Sequence, residues 1–288
     1  MGLFNSYMKP GKGLSKEDLD KHGLSLYFDI LGRRFWSLMS LNLLYVVLSI
    51  PAIVIGYFVS VYLVTWIAQL IRLEITTDIA AGLNLLSTLA VAVMLLFCGS
   101  GPANAGIVTV LRKHVEDSHS WGWSDFFDGF KKNFRQSVVV YVINMLMTSV
   151  FVVGFFYYFI LMKGLFSTVL SVVVVVIAAV FFMMQMYTYQ IMICVELKVK
   201  DIYRNAALLV LGKLPWNILV AAVTIFLLVL VYEIFASIPV VGLLLIAIFF
   251  YSFTFFTQIF MTNNIMKKYV LEPAYKQSSQ ENSNEAEE

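Results

Sequence analysis

Long runs of hydrophobic residues separated by short polar segments dominate the pattern of this chain. The longest runs lie at 35–66, 82–111, 137–161, 165–195, 216–235 and 240–261. Each is close to or above the roughly 20 residues that an α-helix needs to cross a bilayer. The runs are continuous rather than alternating, which excludes the strand pattern of an outer-membrane barrel. The pattern predicts an all-α, polytopic helical membrane protein with six transmembrane helices.

Short amphipathic segments precede three of the runs, at 24–35, 124–135 and 196–215. Their apolar residues recur at spacings of three and four, which is typical of a helix lying on a membrane surface. The chain therefore reads as three helical hairpins, each preceded by an interfacial helix. The octapeptides at 28–35 and 127–134 resemble each other, which favours an internal repeat. Chance similarity between two basic amphipathic helices remains the alternative.

The two ends of the chain are polar and frame a single membrane domain at 24–271. Residues 1–23 lack the apolar stretch of a signal peptide, so we expect a polar cytosolic segment there. Residues 272–288 are polar and acidic with few apolar side chains, so we expect a disordered tail.

The distribution of charge predicts the orientation of the chain. With the N-terminus inside, all of the 20 basic residues except Arg72 and Lys163 fall on the cytosolic side. Cytosolic loops of membrane proteins carry such an excess of Lys and Arg, so both termini are predicted to be cytosolic. The chain is 60% hydrophobic and only 13% charged, with a net charge of +2. The lipid bilayer is therefore the expected partner, and nothing indicates a nucleic acid.

The second run contains the sharpest local feature, a Gly-Ser-Gly-Pro sequence at 99–102. Glycine and proline in a membrane helix free backbone groups that must find other partners. Gly99, Gly101, Pro102 and Asn104 therefore form a candidate helix break or ligand path. The alternative is close packing, because small residues let another helix approach.

Few polar side chains occur inside the predicted spans. Glu233 is the only acid there, which makes it a functional candidate, although it lies close enough to the end of its span to reach the lipid headgroups. The amides are expected to hydrogen-bond between helices. These are Asn42, Asn144, Gln185, Gln190 and Gln258.

The residues that usually carry enzyme chemistry are scarce. His22, His114 and His119 are predicted to lie in surface segments, and no nucleophile is paired with a base in a known motif. A metal site needs three or four converging ligands, and the sequence indicates none. We therefore predict a protein that is not an enzyme and that binds no cofactor or metal.

The segment before the third span is a candidate interfacial docking helix. Its phenylalanines share one face and its charged residues lie on the other, an arrangement that suits either a protein partner or simple anchoring at headgroup level. The residues concerned are Trp121, Trp123, Phe127, Phe130, Lys131 and Lys132.

Several short motifs resemble the YesL-like family of bacterial integral membrane proteins, a family of unknown function. They are FWSL at 35–38, LNLL at 41–44, SIP at 49–51, GPA at 101–103, VLRK at 110–113, WSDFF at 123–127 and FKKNF at 130–134. The resemblance covers residues 25–215 well and the last two spans more loosely. It implies a bacterial plasma membrane protein, and the association of the family's genes with carbohydrate uptake systems implies a role beside sugar import. The family carries over no catalytic residues.

Two functional hypotheses follow. The first is a non-enzymatic accessory or assembly factor of a membrane transport system, which would bind a transporter permease and act in carbohydrate uptake. The second is a small-solute transporter or channel, which would require a polar path past Asn104, Asn144 and Gln190.

Overall fold

The computed structural model of the protein describes residues 23–70, 77–162 and 164–275, and this part of the chain contains helices and no strand. The all-α prediction is confirmed. The predicted acidic tail from residue 276 onward, and all but Gly23 of the predicted N-terminal segment, lie outside the described residues. The α-helices are α1 (Leu24–Leu70), α2 (Thr77–Phe97), α3 (Pro102–Val115), α4 (Trp123–Lys132), α5 (Phe134–Phe156), α6 (Leu165–Cys194), α7 (Val199–Gly212), α8 (Leu214–Ser237), α9 (Pro239–Leu245) and α10 (Tyr251–Met266). Three π-helical turns follow α5, α9 and α10, at Tyr157–Leu161, Ile246–Phe250 and Lys267–Leu271.

Within the described residues, five helical stretches are long and apolar enough to cross a membrane. They are Leu24–Ile67, Phe134–Phe159, Leu165–Cys194, Leu214–Ser237 and Pro239–Tyr275. The predicted second span differs, because the chain breaks after α2 and continues as the separate helix α3. A shorter apolar helix covers Ala80–Leu95. The predicted break is therefore confirmed, and a sixth crossing stays a prediction.

The start of the chain differs from the prediction of a surface helix followed by a separate span. Residues 24–70 form one continuous helix of 47 residues, and it runs through Pro51. Gly32 is the only weak helix former near the predicted junction, and a glycine lowers helix stability by only about 1 kcal/mol. The chain divides into two compact units between Phe35 and Trp36. All the packing described below belongs to the unit that starts at Trp36.

The short helix α3 is the centre of this unit. It packs against α4, α5, α6 and α10. Eleven of its residues are buried, including Arg112 and His114 at its basic end. His114 was predicted to lie at the surface, but it is only 1% exposed. The charged helix end is therefore part of the packed interior.

Glycines allow α3 and α4 to approach each other closely. A Cβ atom added to Gly106 would lie 2.8 Å from the Phe126 ring and equally close to the Phe126 carbonyl oxygen. One added to Gly129 would lie 2.2 Å from the Thr109 hydroxyl. Such distances do not occur between real atoms of these types, so the pairing of the two helices depends on glycine at both positions. The amphipathic helix predicted at 124–135 thus rests directly on the most buried helix.

Candidate functional site

The helix break is built from two glycines in the left-handed region of backbone conformation. Gly99 has a φ of +73° and Gly101 a φ of +72°. Residues with a Cβ atom rarely adopt such angles, so glycine suits both positions. Pro102 then starts α3, where its missing N–H has no intrahelical acceptor to lose. The four residues end one helix and start the next within a single turn.

The Asn104 side chain holds the break together. Its Oδ1 atom accepts hydrogen bonds from the Tyr45 hydroxyl at 2.7 Å and from the Ser100 N–H at 3.1 Å. Its Nδ2 atom donates to the Cys98 carbonyl at 3.4 Å. The residue is 2% exposed, and a Cβ atom on Gly99 would overlap its amide. Asn104 therefore satisfies backbone groups that the break leaves open.

Two other asparagines, Asn42 and Asn217, also hydrogen-bond to backbone groups where a helix is interrupted. Asn42 donates to the carbonyls of Ile246 and Ala247 at 3.0 and 2.7 Å and accepts from the Ser252 N–H at 2.9 Å, so it supports the π-helical turn after α9. Asn217 has the same role at the end of α7. It donates to the carbonyls of Leu209 and Val210 and accepts from the Tyr187 hydroxyl. Sequence reasoning did not single out Asn217, because a polar residue near the start of a span looks like part of a helix terminus.

The predicted interhelical hydrogen bonds are confirmed for four of the five amides. Besides Asn42, Asn144 accepts from Tyr203 on α7 at 2.8 Å. Gln190 donates to Thr262 on α10 at 2.9 Å, and Gln258 donates to Thr224 on α8 at 3.1 Å. Gln185 instead donates within its own helix, to the Phe181 carbonyl at 3.4 Å.

A small polar cavity lies beside the break. Its volume is about 20 Å³, which is enough for about one water molecule. Among its lining residues are Asn104, Gln185, Tyr189, Gln190 and Gln258. Asn144 is not one of them, so the three residues of the hypothetical solute path do not share one cavity.

Three buried oxygen atoms in this cavity wall have no hydrogen-bond partner within the described protein. They are Oε1 of Gln185, Oε1 of Gln190 and the Tyr189 hydroxyl. The Tyr189 hydroxyl lies near the backbone of Gly101, and the Gln185 side chain lies near Tyr203. In neither case does the Tyr189 or Gln185 oxygen meet the distance and angle of a hydrogen bond. Buried polar atoms normally have partners, so these three oxygens mark the cavity as a place where a polar group can bind.

The other membrane candidate, Glu233, lies apart from this cluster. It is exposed on α8, in the last two turns before the helix ends at Ser237. An exposed position near a helix end suits the headgroup interpretation, and its functional role stays a prediction.

The candidate docking helix presents aromatic and basic side chains at the surface. Trp121 is 75% exposed and Trp123 is 55% exposed, although the Trp123 indole donates to Ser40 at 2.6 Å. Lys131 and Lys132 are exposed, whereas Phe127 and Phe130 are half-buried. The predicted helix is present as α4, which ends at Lys132 rather than at residue 135. Trp121 lies just before it, and Phe127 and Phe130 are turned partly inward.

An ion pair that sequence reasoning missed joins α4 to α3. The Lys113 ammonium lies 2.8 Å from the Asp125 carboxylate, which also accepts from the Trp121 N–H at 2.8 Å. Burial raises the pKa of the Asp125 carboxyl, but the hydrogen bonds from Lys113 and Trp121 outweigh burial, so the pKa lies below its ordinary value. Asp125 therefore stays ionised and holds the start of α4 against the basic end of α3.

Among the described residues, no group of three or more His, Cys, Asp or Glu side chains could hold a metal ion. The absence of metal, cofactor and enzymatic activity stays a prediction. The apolar helices and the buried amide network together define an all-α, multi-pass helical membrane protein.

Residues 80–155 match the model of a family described as "Protein of unknown function, DUF624". The matched segment covers nearly all of α2 and α5 and the whole of the break, α3 and α4. The cavity residues on α6 and α10 lie outside it. No curated protein and no solved structure matches the chain.

Proposed function

We propose that this protein is a non-enzymatic accessory or assembly factor of a membrane transport system in a bacterial plasma membrane. The carbohydrate substrate class comes from the resemblance to the YesL-like family. The observation that carries the proposal is the exposed surface formed by Trp121, just before α4, and by Trp123, Lys131 and Lys132 on α4, which is fixed on the most buried helix. An exposed aromatic and basic surface on a rigid support suits a partner protein.

The orientation is part of the same proposal. α3 and α4 carry Arg112, Lys113, Lys131 and Lys132, and the excess of basic residues near these helices supports a cytosolic position. Transporter permeases expose their own loops at that membrane surface, so α4 would meet a permease without entering the bilayer core.

The test compares an α4 variant with a matched control in a strain that lacks the gene. The variant Trp121→Ser with Lys131→Glu changes two exposed residues of the proposed surface. The control Phe166→Ser with Lys200→Glu makes the same kinds of change at exposed positions on α6 and α7. We expect wild-type protein and the control to restore carbohydrate uptake and to copurify the permease, and the α4 variant to accumulate normally but to do neither.

Other outcomes decide against the proposal. Unchanged uptake in the deletion strain contradicts a role in transport of the sugars tested. If the α4 variant restores uptake but is extracted from membranes more easily, α4 is an interfacial anchor. If purified protein in phospholipid vesicles takes up solute without a permease, the protein is itself a transporter.

The polar cavity is the observation that favours the transporter alternative. That hypothesis predicts that Asn104→Leu abolishes flux without reducing expression. The hydrogen bonds of Asn104 at the break predict instead that this substitution reduces the amount of folded protein. Measuring the amount of folded protein and the uptake of solute for the same variant distinguishes the transporter hypothesis from a structural role of Asn104.

A further inference from the structure

An apolar groove lies next to the polar cavity and has two lining residues in common with it. The groove has a volume of about 490 Å³ and lies among residues of α2, α5, α6 and α8. This volume falls within the usual range for small-molecule sites, about 300–1,000 Å³. Its lining side chains are all apolar, and none of the described lining residues is charged.

The groove and the polar cavity share two wall residues, Phe97 and Met186. Both are side chains that can change rotamer, and methionine is unusually adaptable because it has three rotatable bonds and no branch. Beyond this wall lie the three unpartnered oxygens of Gln185, Tyr189 and Gln190, each at least nine-tenths buried.

We infer that the groove and the cavity together bind a membrane amphiphile with an uncharged hydroxyl end. Its hydrocarbon chain lies in the groove and its hydroxyl group enters the cavity. There the hydroxyl donates to a glutamine oxygen and accepts from Tyr189, which gives two of the three oxygens a partner. This inference does not depend on the proposed transport role.

The chemistry of the walls selects this class of ligand. The residues that line the two spaces include no Lys, Arg, Asp or Glu, so a phosphate or ammonium headgroup would be buried without a counter-charge, which is unfavourable. The small volume of the cavity admits one hydroxyl group and excludes a sugar ring. Gln185 lies roughly 14 Å along α6 from Cys194, at 1.5 Å per residue, so the site is well inside the membrane-spanning helix.

The probes are two diazirine-labelled chains of equal length, hexadecanol and hexadecane, added to the full-length protein in phosphatidylethanolamine and phosphatidylglycerol vesicles. Irradiation and peptide mass spectrometry then measure labelling at the groove. We expect the alcohol to label the groove about five- to tenfold more than the alkane, the factor expected for one buried hydrogen bond.

Two substitutions test the polar end. Tyr189→Phe removes only a hydroxyl that has no partner by geometry, so it is not expected to lower the melting temperature. Gln185→Met removes the unpartnered oxygen together with the Nε2 donor to the Phe181 carbonyl, so its melting temperature is measured beside its labelling. Both should bring the labelling by the alcohol down to that by the alkane. Because the two variants are independent, the test still gives a result if one of them does not fold.

A matched pair of substitutions tests the groove. Ala221→Trp fills a position in the groove wall, whereas Ala222→Trp places the same side chain at an exposed neighbouring position on α8. Only Ala221→Trp should abolish labelling by both probes. Equal labelling by alcohol and alkane in the wild type, or an alcohol preference that survives Gln185→Met and Tyr189→Phe, would overturn the inference.

Discussion

Asn42, Asn104 and Asn217 each bond backbone groups beside an interruption of a helix. Water is not present in the hydrocarbon core to serve these groups, and each unsatisfied one costs several kcal/mol there. An asparagine side chain carries both a donor and an acceptor within reach of a broken turn. The three residues therefore explain how the protein tolerates irregular backbone inside the membrane.

Among the residues of the break, substitution of Gly99 should lower the stability of the protein most. Gly99→Ala places a Cβ atom on a residue with a φ of +73° and against the Asn104 amide. We expect a loss of about 2 kcal/mol or more in the free energy of unfolding, because strained backbone and overlap act together. Denaturation in mild detergent measures this loss.

Gly82→Ala is the control for this prediction. Gly82 lies in α2 with nothing within 4 Å of an added Cβ atom, so alanine should leave stability unchanged or raise it by about 0.5–1 kcal/mol. If both variants are equally stable, Gly99 is not required by the geometry of the break.

The pKa of Asp125 predicts how the attachment of α4 depends on pH. Because the pKa of the carboxyl is lower in the folded protein than the roughly 3.9 of an unfolded aspartate, its stabilising effect is complete well above that value. It decreases as the pH falls through the unfolded and then the folded pKa. Hydrogen exchange of the α4 amides should therefore accelerate as the pH falls toward 4 and below, after correction for the intrinsic rate.

Asp125→Asn should abolish this pH dependence and cost about 0.5–1 kcal/mol at neutral pH, because the amide still accepts from the Trp121 N–H but loses the ion pair with Lys113. Asp128→Asn, on the exposed side of the same helix, is the control. An unchanged pH profile in Asp125→Asn would contradict the assignment.

At the scale of elements, the pairing of α3 and α4 depends on the space left by Gly106 and Gly129. Gly106→Ala introduces a methyl group 2.8 Å from both the ring and the backbone oxygen of Phe126. Since a backbone atom cannot rotate away, the helices must separate, and overpacking of this kind costs about 1–3 kcal/mol. We expect a lower melting temperature and faster proteolysis at the loop before α4.

Gly154→Ala is a suitable comparison, because its added Cβ atom would meet Val174 at an ordinary 3.8 Å. A melting temperature for Gly106→Ala as high as that for Gly154→Ala would mean that α4 is not held tightly on α3.

Local patterns predicted some elements and not others. The residues from Gly99 to Pro102 predicted the break, because glycine readily adopts positive φ angles and proline lacks a backbone N–H. The support that Asn42 gives to the turn at Ile246–Phe250 was not predictable, since the partners lie more than 200 residues apart in sequence. His114 was placed at the surface because polar residues usually lie there, whereas tertiary packing buries it beside Ser37.

At the scale of the whole molecule, the distribution of basic residues predicts which side of the membrane each loop occupies. A cysteine introduced at Ser120, before α4, should react with a membrane-impermeant maleimide only after the cells are opened. A cysteine at Phe166, which is 75% exposed at the start of α6, should react in intact cells. The native Cys98 is buried and Cys194 is half-buried, and a variant with both replaced by serine removes their background.

The reverse labelling pattern would overturn the orientation, and labelling of both positions from one side would overturn the number of crossings. The result bears directly on the proposed function, because α4 can meet a cytosolic permease surface only if Ser120 is inside.

The burial of α3 has a consequence for biogenesis. Ribosomes release α3 early, yet one of the helices that cover it, α10, is made last. Until then, the face of α3 that α10 covers stays open to lipid or to the insertion machinery. A nascent chain stopped before Tyr251 should therefore stay bound to membrane chaperones or be degraded, and completion of the final helix acts as the checkpoint for release.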